Sequence, residues 1–454
     1  MVIQVLFLQL QVVEHFGLCP GLRLYIAKAK KKWNDAESRH SKEGRDAQPP
    51  RSKGNQPAPD LCAAIAVEKE PLQKPAKAKN DHHVRPQESV NRVKDYDFSS
   101  SLLGIEVRTT MQADPFVDPE DFEDFASDAD SSTARAGSLT RRRKIGPFES
   151  KTVEGSSFRD SIILHAEAQF MRQPRVFFFQ ILIFGPMARF VRWDCGGAVV
   201  SARFDYTKEP SHLAAFLWRF ANVADDERGL DTTACLASDR EKILFKNAVG
   251  EYLAAMDAGT KDGRPVRTLP GANLTLDPTD SYPTWTIHVV DQYKKKSTNL
   301  IIRRPFGRSE FLFGRGTRPY IAYDLRSGRL VCLKDTWRTD LEKLHREYGM
   351  YCQLALRNVP HIPEVYYGGD VLDCEDILQT TQSHIVGARR AKPDWRITSG
   401  RFHRHVHHRI VQDIAYPLES ALDEREFIQV FHDAFSGKNF PRYTVYNPLT
   451  LMPP

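Results

Sequence analysis

The chain has 454 residues, of which 41% are apolar and 27% are charged, and its mean hydropathy is −0.46. This composition is typical of a globular protein in water, and it excludes a multi-span membrane protein, a collagen-like chain and a chain that is disordered throughout. The formal net charge of +6, from 64 Lys and Arg against 58 Asp and Glu, is too small over this length to indicate nucleic-acid binding.

Seven cysteines are spread through the chain, and no two of them form a C-x-x-C pair. The odd number and the wide spacing argue against a disulfide framework and favour a reducing compartment, the cytoplasm or the nucleus. The basic run from Arg141 to Lys144 is typical of a nuclear localisation signal or a phosphate-binding patch, although such runs are usually just solvated. The apolar run from Val2 to Val13 lacks the flanks of a signal peptide and is too short to span a bilayer. We interpret it as a short amphipathic or buried segment, or as an unreliable start of the chain.

Residues 28 to about 150 are rich in Lys, Pro, Ser and Asp. We expect them to be poorly folded, because such a segment buries too little apolar surface to offset the entropy of the chain. Within them, residues 114–130 form an acidic block with interleaved phenylalanines, which is either a docking segment for a partner or a soluble tether. The predicted domains are a mostly disordered region at 1–148, a folded region at 149–435 and an off-pattern tail at 436–454.

The folded region begins with mixed helices and strands. Apolar spacing predicts helices at 158–170, 211–223 and 241–257. Alternation and turn signals predict strands at 176–184, 187–194 and 197–206. The first of these strands is apolar at almost every position, so it should be buried on both faces, and Ser211 is the predicted N-cap of the second helix.

From residue 284 the pattern changes to closely spaced strands followed by a helix. Strands are predicted at 284–291, 298–304, 309–316, 319–325 and 328–335, and a helix is predicted at 339–356. A run of strands and then one helix, in fewer than a hundred residues, indicates the α+β class with an antiparallel sheet.

Four residues in this part of the chain form a pattern that carries chemistry. Gly314 and Gly316 lie between two predicted strands, Lys334 ends a later strand, and Glu347 follows in the helix. This order matches the N-lobe of a protein kinase, in which a glycine loop approaches the phosphates of a nucleotide, a lysine neutralises them and a glutamate orients the lysine. Glu342 is the alternative partner for the lysine, but only a short piece of chain separates the two.

Two details bear on this pattern. The third glycine of the kinase motif G-x-G-x-x-G is Pro319 here, which departs from the general pattern. Met350, Tyr351 and Leu354 follow Glu347 at helical spacing, which would let Glu347 face the sheet.

Residues from about 158 to 435 resemble the fungal-type protein kinase family. The resemblance lies in ARFVRWDCGGAVVSARFDY (188–206), GRGTRPYIAYD (314–324), LVCLKDTWR (330–338), REYGMYCQL (346–354), HIPEVYYGGDV (361–371), HHRIVQDIAYPLES (407–420) and FIQVFHDAF (427–435). It implies a kinase-like fold, with an N-lobe of antiparallel sheet and helix, and the hinge, at about 291–435. A family-specific α+β region at about 149–290 would precede that lobe.

The resemblance assigns a nucleotide-binding role to six residues: Gly314, Gly316, Lys334, Glu347, Asp413 and Ala415. The glycines belong to the phosphate loop, and the lysine and glutamate form the phosphate-binding pair. Asp413 and Ala415 belong to the hinge that meets adenine, at about Asp413 to Pro417. The implied cofactor is ATP with Mg²⁺, and the implied acceptor is a Ser or Thr hydroxyl of a protein. We expect a protein substrate or partner, no nucleic acid and no membrane.

Phosphoryl transfer in kinases also needs the catalytic loop H-R-D-x-x-x-x-N and the D-F-G aspartate. Neither occurs after residue 435, so no catalytic residue can be identified and the ligands expected for Mg²⁺ are missing. His432-Asp433 with Asn439 has the wrong spacing and lacks the arginine. We expect a chain truncated before the catalytic loop and inactive as written. The alternative is a non-catalytic, pseudokinase-like binding or scaffold module.

Several other polar groups have simpler interpretations. Four histidines are closely spaced: His403, His405, His407 and His408. No Cys or carboxylate accompanies them at ligand spacing, so we interpret them as part of a solvated or nucleotide-adjacent strand and predict no metal site. The lysines at 294–296 fit a solvated hairpin tip, and Asp194 and Asp205 are strand-end residues. Cys332 faces either the nucleotide cleft or the core.

Overall fold

The computed structural model describes residues 22–28, 63–69, 94–95, 97–118, 148–257, 260–261, 264–265, 269–271, 282–307, 312–388, 403–416 and 423–438. The chain divides into two compact units. Unit 1 comprises Met1–Thr232, Leu312–Gly314 and Thr381–Arg404, and unit 2 comprises Thr233–Phe311, Arg315–Thr380 and His405–Pro454. The basic run at 141–144 and Pro417 of the predicted hinge lie outside the described residues.

The described part of unit 1 is built on an eight-stranded sheet. Its strands are β1 (Leu22–Lys28), β2 (Ala63–Lys69), β3 (Lys94–Asp95), β4 (Leu103–Arg108), β5 (Phe177–Phe184), β6 (Met187–Asp194), β7 (Gly197–Val200) and β8 (Phe204–Asp205). They run in the order β3-β1-β2-β4-β5-β6-β7, with β8 beside β6, and β4 and β5 are parallel. The helices are α1 (Val153–Arg172), α2 (Ser211–Asn222) and α5 (Ser383–Ala388), and a 3₁₀ turn covers Met111–Ala113.

Helices α1 and α2 cover opposite faces of the central strand β5. Phe178 and Leu182 belong to the apolar cluster of α1, whereas Ile181 and Ile183 belong to that of α2. This arrangement follows from the alternation of side chains along a strand, because every residue of an apolar strand must be buried on one face or the other. The prediction of a strand buried on both faces is confirmed.

Part of the segment predicted to be poorly folded is in fact ordered. Every residue of β4 is buried, and β4 pairs with β2 and β5 inside the sheet. The first residues of the acidic block are also folded. The guanidinium group of the buried Arg189 donates hydrogen bonds of 2.7–3.1 Å to the carboxylates of Asp114 and Asp118. The prediction was wrong for these residues because a few apolar positions and two carboxylates found partners far away in the sequence, which composition cannot reveal.

The described part of unit 2 contains a seven-stranded antiparallel sheet in the order β16-β17-β15-β14-β13-β12-β9. Its strands are β9 (Ala234–Leu236), β12 (Trp285–Val290), β13 (Ser297–Ile302), β14 (Arg318–Asp324), β15 (Arg329–Thr339), β16 (Val365–Asp370) and β17 (His405–Gln412). A separate hairpin joins β10 (Thr260–Lys261) and β11 (Arg264–Pro265). The helices are α3 (Asp239–Asp257), α4 (Glu347–Leu356) and α6 (Glu424–Lys438).

The two faces of this sheet carry different residues. On β15, Val331 and Leu333 point to one face, which we call the core face, where they pack with Val411 and other apolar residues of the strands. Cys332 and Lys334 point to the other face, which we call the lysine face. The α+β class with an antiparallel sheet, expected for this region, is therefore confirmed.

Three local predictions are wrong. Residues 312–316, which were predicted as the end of a strand, are irregular bends. The helix predicted at 339–356 begins only at Glu347, because residues up to Thr339 extend strand β15 and a turn follows. Ser211 is the first residue of α2 rather than its N-cap, a position that Pro210 holds with no side-chain hydrogen bond.

Candidate functional site

An ion pair joins strand β15 to helix α4. The Nζ atom of Lys334 lies 2.5 Å from Oε1 of Glu347, and both side chains are about one quarter exposed. Glu342, the alternative partner, is exposed in the turn before α4. Glu347 is the first residue of its helix, where a carboxylate also interacts favourably with the helix dipole. The structure therefore brings together the lysine and the glutamate that the motif order paired.

Helix α4 is held in place by one buried tyrosine. Tyr348 is 1% exposed and its hydroxyl donates to the buried carboxylate of Asp291, which follows strand β12. Burial, followed by this hydrogen bond, raises the pKa of Tyr348 far above its ordinary value. A Cβ on Gly368 would lie 2.6 Å from the tyrosine ring, so glycine is what allows the helix to approach strand β16 this closely. Of the three apolar residues predicted to follow Glu347 along one face of the helix, Met350 is 46% exposed, so that face was wrong in detail.

A second anchor lies at the start of α4. Asp370 accepts two hydrogen bonds of 2.8 Å from Arg338 and one of 2.9 Å from His408, and Arg346, the N-cap residue, lies 3.4 Å away. Burial alone would raise the pKa of Asp370, but the hydrogen bonds from Arg338 and His408 hold it well below its ordinary value. These contacts fix the end of β15 and the position of Glu347, and so they orient Lys334.

Arg315 provides a second cation at the same carboxylate. Its Nη2 atom lies 3.2 Å from Oε2 of Glu347, while its carbonyl oxygen accepts hydrogen bonds from the Trp337 N–H at 2.7 Å and the Thr336 hydroxyl at 3.1 Å. The arginine side chain is 60% exposed, so it can turn toward a ligand. One carboxylate thus holds two cations, and this leaves a surplus of positive charge where an anion could bind.

Both glycines of the loop have a positive φ angle, and at Gly314 a Cβ atom would meet open space. Gly314 has φ = 98° and Gly316 has φ = 47°, a region that other residues adopt only with strain. Gly314 belongs to unit 1, where its N–H donates to the Cys195 carbonyl at 2.7 Å and the preceding Phe313 stacks on Trp193 with ring centroids 6.0 Å apart.

The predicted hinge residues follow strand β17, which pairs with β15 so that Cys332 is opposite Gln412. Asp413 and Ala415 are both exposed. The backbone N–H of Asp413 donates to the Glu364 carbonyl, and its carboxylate accepts from the Tyr366 hydroxyl. This segment therefore leaves the sheet beside the strand that carries Lys334.

The family model described as Fungal protein kinase matches residues 145–439, which is more than half of the chain. This chain belongs to the fungal protein kinase family. No curated protein and no solved structure matches it. The matched residues include the lysine, the glutamate, the glycine loop and the predicted hinge. Counted from β13, the lysine strand of this kinase family member is the third strand, where kinases carry their phosphate-binding lysine.

Two of the histidines predicted to belong to a solvated or nucleotide-adjacent strand, His407 and His408, lie on opposite faces of β17. His407 is buried on the core face, where Nε2 lies 2.5 Å from Asp335 and the ring stacks on Trp337 at 4.6 Å. His408 is buried on the lysine face and contacts Asp370, so neither residue is solvated, and the alternative of a strand next to the nucleotide stays a prediction. No group of three or more His, Cys, Asp or Glu side chains in the described part of the chain is arranged to hold a metal ion.

Asp335 is the centre of a buried charge cluster on the core face. It accepts from Arg318 at 2.8 Å and Arg409 at 3.3 Å in addition to His407. Burial alone would raise the pKa of Asp335, but its contacts with His407, Arg318 and Arg409 hold it far below its ordinary value. The neighbouring Cys332 is buried on the lysine face, and burial raises the pKa of its thiol to about 11.

The other polar groups singled out in the sequence have structural or solvent-exposed positions. Lys294, Lys295 and Lys296 are exposed at the tip of the β12–β13 hairpin, as predicted. Asp194 in unit 1 is a buried structural carboxylate that accepts from the backbone N–H groups of Gln382 and Ser383. A shallow depression of about 390 Å³ lies over β12 and β13, near Asn299, and does not include Lys334. No helix among the described residues is long and apolar enough to cross a membrane.

Sequence reasoning missed three parts of this site. Arg315 was visible between the two glycines but received no role. Asp291 and Asp370 were missed because their partners are far away in the sequence. The packing of α3 on the lysine face was also missed, although the helix itself was predicted, because a helical pattern does not say which surface it covers.

Proposed function

We propose that unit 2 binds the polyphosphate of ATP at Lys334 and Arg315. The observation that carries this proposal is the Lys334–Glu347 ion pair, which joins the third strand and the helix of a kinase-type sheet at 2.5 Å. Glu347 fixes the flexible lysine stem, so Lys334 pays little conformational entropy when a phosphate arrives. Arg315 can leave the shared carboxylate and contact a second phosphate oxygen. The exposed backbone beside Asp413 and Ala415 would lie toward the adenine.

For this family we propose that the ancestral reaction is transfer of the γ-phosphoryl group of ATP to a protein Ser or Thr hydroxyl. In kinases this step needs a carboxylate that accepts the hydroxyl proton, and carboxylate and amide ligands for Mg²⁺. Among the described residues, no group of three or more His, Cys, Asp or Glu side chains is arranged to hold a metal ion such as Mg²⁺. The 454 residues contain neither H-R-D-x-x-x-x-N nor D-F-G. We therefore assign nucleotide binding without transfer to these 454 residues, which is a pseudokinase-like role.

Nucleotide binding is tested by thermal unfolding in the presence of ATP. With a Kd of about 0.1–1 mM, ATP at about 10 mM would raise stability by roughly 1.4–2.7 kcal/mol and the unfolding temperature by a few degrees. Lys334→Ala should remove most of this shift, and Glu347→Ala should reduce it less, because the glutamate acts only through the cations. Lys295→Ala, which removes an exposed lysine at the hairpin tip, is the matched control and should leave the shift intact. A folded sample without a shift, or an unchanged shift in Lys334→Ala, would refute the site.

The absence of transfer is tested separately with radiolabelled ATP, Mg²⁺ and a generic protein substrate. We expect no labelling above background from the 454-residue chain. Labelling that disappears in Lys334→Ala would show that a catalytic base exists outside the known motifs.

A further inference from the structure

Helix α3 packs on the lysine face of the sheet. On this face Cys332 of β15 lies opposite Ile321 of β14, and Ile301 of β13 lies one strand further on, opposite Tyr323. Ile301 and Ile321 belong to one buried apolar cluster with Phe245 and Val249 of α3. Both isoleucines are completely buried. The helix therefore covers the part of the face that lies next to Lys334.

A nucleotide bound at Lys334 has to extend over this same surface. Residues two apart on a strand share a face and lie about 7 Å apart, so Cys332 is the next residue along the lysine face from Lys334. In the other direction Thr336 pairs with His408, which contacts the start of α4, so that end of the face is already filled. The base can therefore extend only over Cys332 and Ile321, toward the segment that begins at Asp413.

The surface that the base requires is occupied by the chain itself. Cys332 is only 6% exposed, and Ile414 of the hinge segment packs in the cluster of α3. A hydrogen bond of 2.7 Å between the hydroxyls of Tyr252 and Tyr416 joins the helix to the same segment. Apolar contacts and one hydrogen bond thus hold α3 where an adenine ring would stack and meet the hinge.

We propose that α3 is an intramolecular competitor of the adenine base, so that the resting protein binds the phosphates of a nucleotide but not its base. The proposal rests on the proposed function, because it assumes that Lys334 binds phosphate. Base binding then requires displacement of α3, and anything that loosens the contact of the helix with Ile321 or with Tyr416 makes the protein selective for ATP over a bare polyphosphate.

The test compares ATP with inorganic tripolyphosphate, which has no base, by titration calorimetry on the full chain. For the wild-type protein we expect Kd values within about threefold of each other. Val249→Ala removes apolar atoms from the buried contact between α3 and the sheet. Tyr252→Phe removes the hydroxyl that is hydrogen-bonded to Tyr416. Each should tighten ATP binding by about three- to tenfold while tripolyphosphate binding stays the same. Ile243→Ala, at a position of α3 that is 58% exposed, is the matched control and should change neither.

Hydrogen exchange in the wild-type protein and in Tyr252→Phe provides a second measurement. Because only the phosphates bind while α3 is in place, neither ATP nor tripolyphosphate should raise exchange in residues 239–257 of the wild type, whereas saturating ATP should raise it in Tyr252→Phe. ATP that binds the wild type ten times more tightly than tripolyphosphate, or a Tyr252→Phe variant in which ATP leaves the protection of α3 unchanged, would overturn the proposal. If tripolyphosphate binding still depends on Lys334 in that case, the phosphate site stands and only the role of α3 is wrong. If neither ligand depends on Lys334, the proposed function and this inference both fail.

Discussion

Replacement of Asp335 by asparagine tests whether the buried charge cluster holds the strand of Lys334 in place. The carboxylate lies 2.5 Å from His407, 2.8 Å from Arg318 and 3.3 Å from Arg409, and all four side chains are less than one tenth exposed. Asparagine keeps the size but removes the only negative charge among these four groups. Breaking a buried ion pair by removal of one partner typically costs about 3–5 kcal/mol, because the remaining charges stay buried without compensation.

The assay is hydrogen exchange of the peptide that covers residues 329–339, because it reports the local free energy of opening of β15 even where the two units unfold separately. We expect Asp335→Asn to lower this free energy by about 3–5 kcal/mol. Asp160→Asn is the matched control. Its side chain is 71% exposed and 3.9 Å from Arg159, and such exposed pairs contribute less than about 1 kcal/mol. A loss below about 1 kcal/mol in Asp335→Asn would refute the reasoning.

The same cluster predicts a pH dependence with a definite sign. The pKa of Asp335 is lower in the folded protein than its value of about 4 in the unfolded chain. Its stabilisation is therefore fully present at neutral pH and is lost as the pH falls through about 4 toward the lower folded pKa. We expect the opening free energy of β15 to fall over this range in the wild type and to fall less in Asp335→Asn.

Two further predictions concern other buried pairs. Tyr348→Phe leaves the buried Asp291 carboxylate without the hydrogen bond from the tyrosine hydroxyl. We expect the free energy of unfolding to fall by about 1–3 kcal/mol and the ATP-dependent rise in unfolding temperature to become smaller. Tyr293→Phe, at a neighbouring tyrosine that is partly exposed, is the control and should lower the free energy of unfolding less. In unit 1, burial would lower the pKa of His165, but the Glu106 carboxylate outweighs it and raises the pKa. This stabilisation is present below about pH 6.5 and is lost as the pH rises through the higher folded pKa, so the unfolding temperature should fall more steeply toward pH 9 in the wild type than in Glu106→Gln.

Local sequence patterns were sufficient for most strands and for the pairing of Lys334 with Glu347. Strand alternation between residues 284 and 335 depends on neighbours two positions apart, and Lys334 and Glu347 are only 13 residues apart in the sequence. The start of α4 was misplaced because Leu341, Glu342 and Lys343 have helical propensity, whereas the long ladder between β15 and β17 keeps the preceding chain extended through Thr339. Tertiary pairing here overrode a local preference.

The candidate site was less accessible from the sequence, because its supporting contacts are distant. Tyr348 and Asp291 are 57 residues apart, and Asp335 and Arg409 are 74 residues apart. A single sequence contains no signal for such pairs. The two faces of β17 show the same limitation. His407 and His408 are adjacent histidines in the sequence, but successive side chains of a strand point to opposite faces. His407 therefore contacts Asp335 in the charge cluster, and His408 contacts Asp370.

The charge cluster and the lysine together specify the register of the central strand. Lys334 and Asp335 are neighbours that must point to opposite faces, the first to a partly exposed ion pair and the second to a buried group of cations. A shift of β15 by one residue would bury the lysine among Arg318 and Arg409 and would place the aspartate beside Glu347. Both changes put like charges together, and a slip would also move Leu333 out of the core. The polar residues of the core face thus protect the geometry of the site on the lysine face, because a one-residue slip of β15 would satisfy neither set of charges.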